Sequence, residues 1–179
     1  MNKNFKLSQF KQKGFTLVEV AIVVAIGALL LIGISQAPRI IAGNKSNAEI
    51  AEIPQIVTGV QKIYANQATY AGATLAQVIA LNGLPPERVS AGAGVNRWGG
   101  AITMAVATVT TANDAIALTS VNVPSLECTD IIPSVANRFA RVQVNGVDVK
   151  SIGAALSLVA LGTQCATAAQ VPIIYTFTK

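Results

Sequence analysis

Residues 13–34 read Lys13-Gly14-Phe15-Thr16-Leu17-Val18-Glu19, followed by VAIVVAIGALLLIGI. From Phe15 to Ile34 only Glu19 carries a charge. A helix of about 20 apolar residues rises about 30 Å, the thickness of a bilayer's hydrocarbon core. Lys3, Lys6, Lys11 and Lys13 precede it with no acid among them. That cluster keeps the N-terminus on the cytoplasmic side and sends the rest outward. The spacing therefore predicts a transmembrane segment that opens the fold.

The basic balance of the chain has the same origin. The 179 residues carry a formal charge of +5, but the nine basic residues beyond Gly14 face eight acidic ones. The excess belongs to a short leader and not to a nucleic-acid surface, so no direct nucleic-acid binding is expected. The chain is 52% hydrophobic, 5% aromatic and 12% charged, a composition that suits a membrane segment joined to a β-rich exported domain. It has no histidine, which removes the commonest general base and metal ligand. Asp114, Glu127, Asp130 and Asp148 are scattered. Gly92-Ala93-Gly94 and Trp98-Gly99-Gly100 lack the Lys-Ser/Thr of a phosphate loop. No catalytic residue, metal site or cofactor is predicted.

An apolar run after a basic leader has several readings. A secretory signal needs a small-x-small cleavage site. Ser35-Gln36-Ala37 has that form, but Pro38 would follow the cut. A plain anchor explains the length and leaves Glu19 unexplained, because a carboxylate inside an apolar helix costs on the order of 3 kcal/mol.

The stretch Lys13-Gly14-Phe15-Thr16-Leu17-Val18-Glu19 resembles the prepilin processing motif of type IV pilins. The resemblance implies cleavage after Gly14 by a prepilin peptidase and N-methylation of the new N-terminus, Phe15. It also implies that Glu19, fifth in the mature chain, meets the terminal amine of a neighbouring subunit and sets register in a helical homo-oligomer. The implied partners are that peptidase, the inner-membrane pilus assembly machinery and the inner membrane itself. The implied destination is an extracellular pilus used in adhesion, motility or DNA transfer. A major pilin, a minor pilin or secretion pseudopilin, and a membrane-anchored periplasmic binding protein all remain open.

Four segments follow: a cleaved leader at 1–14, a hydrophobic half-helix at 15–37, an amphipathic half-helix at 38–70, and a globular head at 71–179. Gly33 and Pro38 mark a weak stretch, either an ordinary kink or, by resemblance, a segment that melts in the filament. Beyond Pro38, Ile50, Ile53, Val57, Val60 and Tyr64 recur at helical spacing. Glu49, Glu52, Gln55, Gln61 and Lys62 fall mainly off that stripe, and a helix is predicted from about Arg39 to Gln67, with Pro54 as a possible bend.

A short helix is expected over 74–84 and a loop over 87–100. Strands are expected over 101–110 and 115–123, with a turn at 111–114. A helix follows over 124–139, complicated by Pro133, then a hairpin over 141–150 with Asn145-Gly146 at its tip. Residues 151–167 read equally as helix or loop, and 171–178 as a final strand. The fold class is α+β, a long N-terminal helix packed on an antiparallel sheet.

Cys128 and Cys165 are the two cysteines. In an exported chain an even count reads as one disulfide, with two buried free thiols as the alternative. By resemblance the pair bounds the C-terminal region of a pilin head. Asn96-Arg97-Trp98-Gly99-Gly100 before a strand, and a late cysteine before the last strand, resemble the major pilins of type IVb conjugative pili. The short leader and Phe15 resemble type IVa. Trp98 reads as a core aromatic or as a surface anchor.

Overall fold

The computed structural model of the chain describes residues 16–179, without the side chains of 29–42. Gly14 and Phe15 lie outside the described residues. The chain divides into two compact units, Met1–Ile40 and Ile41–Lys179. Helix α1, Leu17–Ile63, contributes to both.

In the first unit, Leu17, Val18, Val20, Ile22, Val23, Val24 and Ile26 are all exposed. In the second, Ile53, Val57 and Val60 of the predicted stripe are buried, Ile50 and Tyr64 are partly buried against the core, and Ile56, outside that stripe, is buried with them. Each aliphatic side chain so buried contributes about 1.5–3 kcal/mol. Pro54 does not end α1. It cannot donate to the carbonyl of Ile50, but the helix continues, and Thr58 Oγ1 donates to the Pro54 carbonyl at 2.9 Å.

The sheet has seven antiparallel strands: β1 Val89–Ser90, β2 Ala93–Val95, β3 Ala101–Ala107, β4 Ala115–Pro124, β5 Arg141–Val144, β6 Val147–Lys150 and β7 Gln170–Thr178. Their spatial order is β1-β2-β3-β4-β7-β5-β6. The last strand thus lies between two hairpins, pairing Leu118 with Tyr175 on one side and Val142 with Tyr175 on the other. The buried residues of the strands alternate as a half-buried sheet requires. Ile116 and Leu118 of β4 with Ile173, Tyr175 and Phe177 of β7 join the α1 stripe in one core.

Helix α2, Leu75–Ala80, opens on a capping box of Thr74 and Gln77. It is shorter than the predicted 74–84 because Asn82 adopts φ 55° and Gly83 turns the chain against α1. A Cβ on Gly59 would collide with the backbone of Gly83, so only glycine allows this approach. Helix α3, Ser125–Val135, tolerates Pro133 and passes into a 3-10 turn at Ala136–Arg138. The open segment 151–167 divides into a loop and helix α4, Leu158–Cys165, with Ser157 as N-cap. Asn145 (φ 53°) and Gly146 (φ 79°) make the expected hairpin tip.

Three expectations are corrected. Segment 87–100 is not a plain loop: it holds β1 and β2, preceded by a 3-10 turn at Pro86–Arg88. The strand predicted to Thr110 stops at Ala107, because the Asp114 carboxylate accepts the amides of Val109 (2.7 Å), Thr110 (2.8 Å) and Thr111 (2.8 Å) and curls the chain around itself. Glu49 and Glu52, expected off the core face, are buried at 2% and 8% exposure, for the reason given below.

Amide hydrogen bonds, from Thr111 first and then Val109, hold the Asp114 carboxyl below its ordinary value of 3.8. A depressed folded pKa stabilises above the unfolded value and loses that contribution as pH falls through the folded one. Asp114→Asn should therefore be less stable than wild type at neutral pH, with the gap closing in acid. Denaturant midpoints measured from pH 7 to pH 2 check this, and a gap that widened in acid would contradict it.

Candidate functional site

The N-terminal turn of α1 is a reciprocal cap. The Thr16 amide and its Oγ1 each donate to Glu19 Oε2 at 3.0 Å, while the Glu19 amide donates to Thr16 Oγ1 at 3.3 Å. Thr-x-x-Glu is the sequence signature of a capping box, a signal present in the motif but not used in reading it. The cap satisfies amides that a helix start leaves open. Among the described residues no Lys or Arg pairs with Glu19. Any apolar surroundings that cover Leu17, Val18 and Val20 must therefore accept a carboxylate as well, and a cation opposite it makes that burial far cheaper.

Gly33 and Pro38 both lie within the helical run of α1, and their surroundings are outside the described residues. Among the described residues no helix is long and apolar enough to cross a membrane. The predicted span 15–34 falls only partly within them, since Phe15 and the side chains of 29–34 are not described.

In the head, Cys128 of α3 and Cys165 of α4 form a disulfide with Cα atoms 5.8 Å apart. Both are fully buried. Asn145 Nδ2 donates to the Gln164 carbonyl (2.9 Å) and Thr167 Oγ1 (2.6 Å), tying the β5–β6 turn to the end of α4. Leu126, Leu158 and Val159 stand exposed on α3 and α4. Asp130 is exposed on α3.

The Asn96–Gly100 stretch is a knot between strands. Asn96 Nδ2 donates to Ser120 Oγ (2.9 Å) and the Val121 carbonyl (2.6 Å), while its Oδ1 accepts the amides of Trp98 (3.0 Å) and Gly100 (2.8 Å). A Cβ on Gly100 would strike the Val121 carbonyl. Trp98 is half-buried and packs against the core from its rim.

Beside this knot lies a charge cluster that sequence reasoning missed. Arg88 is fully buried. Its Nη2 pairs with Glu49 Oε2, its Nε lies 2.5 Å from Glu52 Oε2, and its Nη1 donates to the Val95 carbonyl at 3.4 Å. Arg97 grips Glu52 with two nitrogens, Nε to Oε2 at 3.0 Å and Nη2 to Oε1. Its amide donates to Glu49 Oε2 at 3.4 Å, and Glu87 stands 3.8 Å from Arg97 Nη2. Tyr175 adjoins the cluster: burial, then the Glu49 charge, raises its phenol pKa far above the usual value, with Arg88 opposing.

A groove of about 810 Å³ runs between α1 and the 79–89 segment, with Gln55, Gly59, Lys62, Pro85 and Glu87 on its walls. It gathers no set of catalytic groups. Among the described residues no cluster of His, Cys, Asp and Glu could hold a metal ion.

Comparison with known proteins places this arrangement. Residues 43–178 match the family model described as PilS N terminal, and residues 9–35 match the prokaryotic N-terminal methylation motif. The fold is similar to that of TcpA, a type IV pilin from Vibrio cholerae El Tor biotype. That likeness has a TM-score of 0.59 and 17% identity, covering 75% of this chain and 99% of the other. It is also similar to the type IV b pilin from Salmonella typhi, with a TM-score of 0.61 and 18% identity, covering 74% and 99% of the two chains. No curated protein sequence matches the chain.

Closing a loop of this size stabilises a small domain by about 2–4 kcal/mol. Replacing Cys128 and Cys165 with serine should lower the unfolding free energy by about that amount in denaturant titrations. An unchanged midpoint would show that the α3–α4 contact holds without the bond.

Proposed function

The chain belongs to the PilS family and has the type IV pilin fold, and from that premise we propose that it is the major structural subunit of a type IV pilus. The N-terminal methylation motif at 9–35 supports processing after Gly14 and methylation of Phe15. The precursor waits in the inner membrane, is cut by a prepilin peptidase, and is lifted by the assembly machinery into an extracellular filament of identical copies.

The observation that carries the reading is the combination at the start of α1. A row of exposed aliphatic side chains surrounds one carboxylate with no cation beside it among the described residues. Such a surface is stable in lipid or against copies of itself, where apolar burial contributes about 25 cal/mol per Å². Glu19 then discriminates between staggers, because only one brings it to the amine of a neighbour's Phe15. Within its own chain the carboxylate already holds the helix cap, so it reaches the neighbour with its orientation set. The head, closed by one disulfide, forms the outer surface through which the filament serves adhesion, motility or DNA transfer.

Changing Gly14 to valine should leave uncut precursor, seen as an intact mass that retains residues 1–14. A mature protein beginning at Phe15 in that variant would end the processing reading. Glu19→Val should keep the protein in the membrane and reduce sheared filament by about tenfold or more, the size of effect that loss of a buried charge pair produces. Normal filaments by electron microscopy would remove Glu19 from assembly. In wild-type shear fractions the chain should dominate, and trace abundance would assign it instead to a minor pilin.

A further inference from the structure

The apolar stripe of α1 does not by itself define how the helix sits on the head. The buried positions are Ile53, Ile56, Val57 and Val60. A slip of three residues in one direction would present Ile56, Gly59, Val60 and Ile63 at those places. In the other direction it would present Ile50, Ile53, Pro54 and Val57. Both sets are apolar or glycine, so hydrophobic burial separates these settings only weakly. Something else must choose among them.

The charge cluster makes that choice. Glu49 and Glu52 are three residues apart, one above the other on the helix face. Arg88 from the facing segment touches both carboxylates while fully buried. After a slip of three the guanidinium would meet Ser46 and Glu49, or Glu52 and Gln55. After a slip of four it would meet Lys45 and Ala48, or Ile53 and Ile56. Only the observed setting gives it two carboxylates, and a buried guanidinium short of an anion is heavily penalised. Arg97 closes the lock from the rim by gripping Glu52. The glycine contact of Gly59 with Gly83 fixes the other end, since a slip would bring Lys62, Ile56, Ile63 or Gln55 into a place with no room for a Cβ.

We propose that Glu49, Glu52, Arg88 and Arg97 form a registry lock, which holds segment 85–100 at one axial and rotational setting on the second half of α1. The lock supplies uniqueness of packing more than stability. Taking two carboxylates and a guanidinium out of water costs nearly what their pairing returns. Removing one member should therefore cost more than removing the three buried ones together. Arg88→Met leaves Glu49 buried without its counter-ion and Glu52 with Arg97 alone. The triple variant Glu49→Leu/Glu52→Leu/Arg88→Met leaves an apolar contact, with Arg97 at the rim free to turn to water and Glu87.

The test uses the full chain in detergent micelles, with thermal unfolding and hydrogen exchange read by mass spectrometry. The expected result is that Arg88→Met unfolds at a lower temperature than the triple variant. In the triple variant, amides of 85–100 should exchange about tenfold faster or more, while those of 53–63 keep their protection. Should Arg88→Met fail to fold while the triple variant folds, the same order is established. Glu49→Gln keeps size and loses charge, and should speed exchange in 85–100 in the same direction. The proposal is overturned if the triple variant is the less stable of the two, or if 85–100 exchanges in it as in wild type.

A second readout rests on the filament reading: pili of the triple variant should show a wider spread of helical twist than wild type. Unchanged twist would confine the lock to the head. Wild type that forms no filaments would overturn the pilus reading and leave the exchange result standing.

Discussion

Burial of one helical stripe against one antiparallel sheet carries the head of this protein. Ile53, Ile56, Val57 and Val60 of α1 meet the inner face of β4 and β7, and the remaining elements attach around that contact. The sheet can offer a continuous apolar face because β7 lies inside it, between β4 and β5, paired on both edges. α3 and α4 close the core from another side and are held to each other by the buried disulfide. Segment 85–100 adds buried polar groups, Arg88 and Asn96, beside the apolar contacts of Val89 and Trp98.

The same helix answers to different requirements along its length. Its first described turns expose aliphatic side chains and one capped carboxylate. Its last turns are amphipathic in an unusual sense, because the polar residues Glu49 and Glu52 are as buried as the apolar ones. Both uses of glutamate follow from one rule: a charge brought into apolar surroundings must come with a partner. For Glu52 and Glu49 the partner is on the same chain. For Glu19 the own-chain partner is a threonine hydroxyl and an amide, which orient the carboxylate without neutralising it.

The segment expected as a loop, 87–100, contributes the buried polar residues Arg88 and Asn96 to the interior. Asn96 takes part in six hydrogen bonds, four by side chain and two by backbone, and Gly100 is required by the approach of β4. The Asn-Arg-Trp-Gly-Gly stretch is thus a structural knot whose arginine reaches the lock. Trp98, read as either core or surface, is at the rim between them. The Asp114 nest ends β3 by a similar local competition, side-chain oxygen against the sheet ladder.

The sequence alone determined the apolar run, the leader, the processing motif, the helical stripe beyond Pro38, the hairpin turns and the α+β class. All of these are local patterns, written in spacing of 3.6 or 2 residues or in turn-forming pairs. It also held the Thr16–Glu19 cap in plain form. Only the tertiary structure decided that β7 separates the hairpins and that Glu49 and Glu52 face inward. The reason is physical. A carboxylate on a helix is read as solvated unless its partner is known, and Arg88 lies thirty-nine residues from Glu49, beyond the reach of any periodicity.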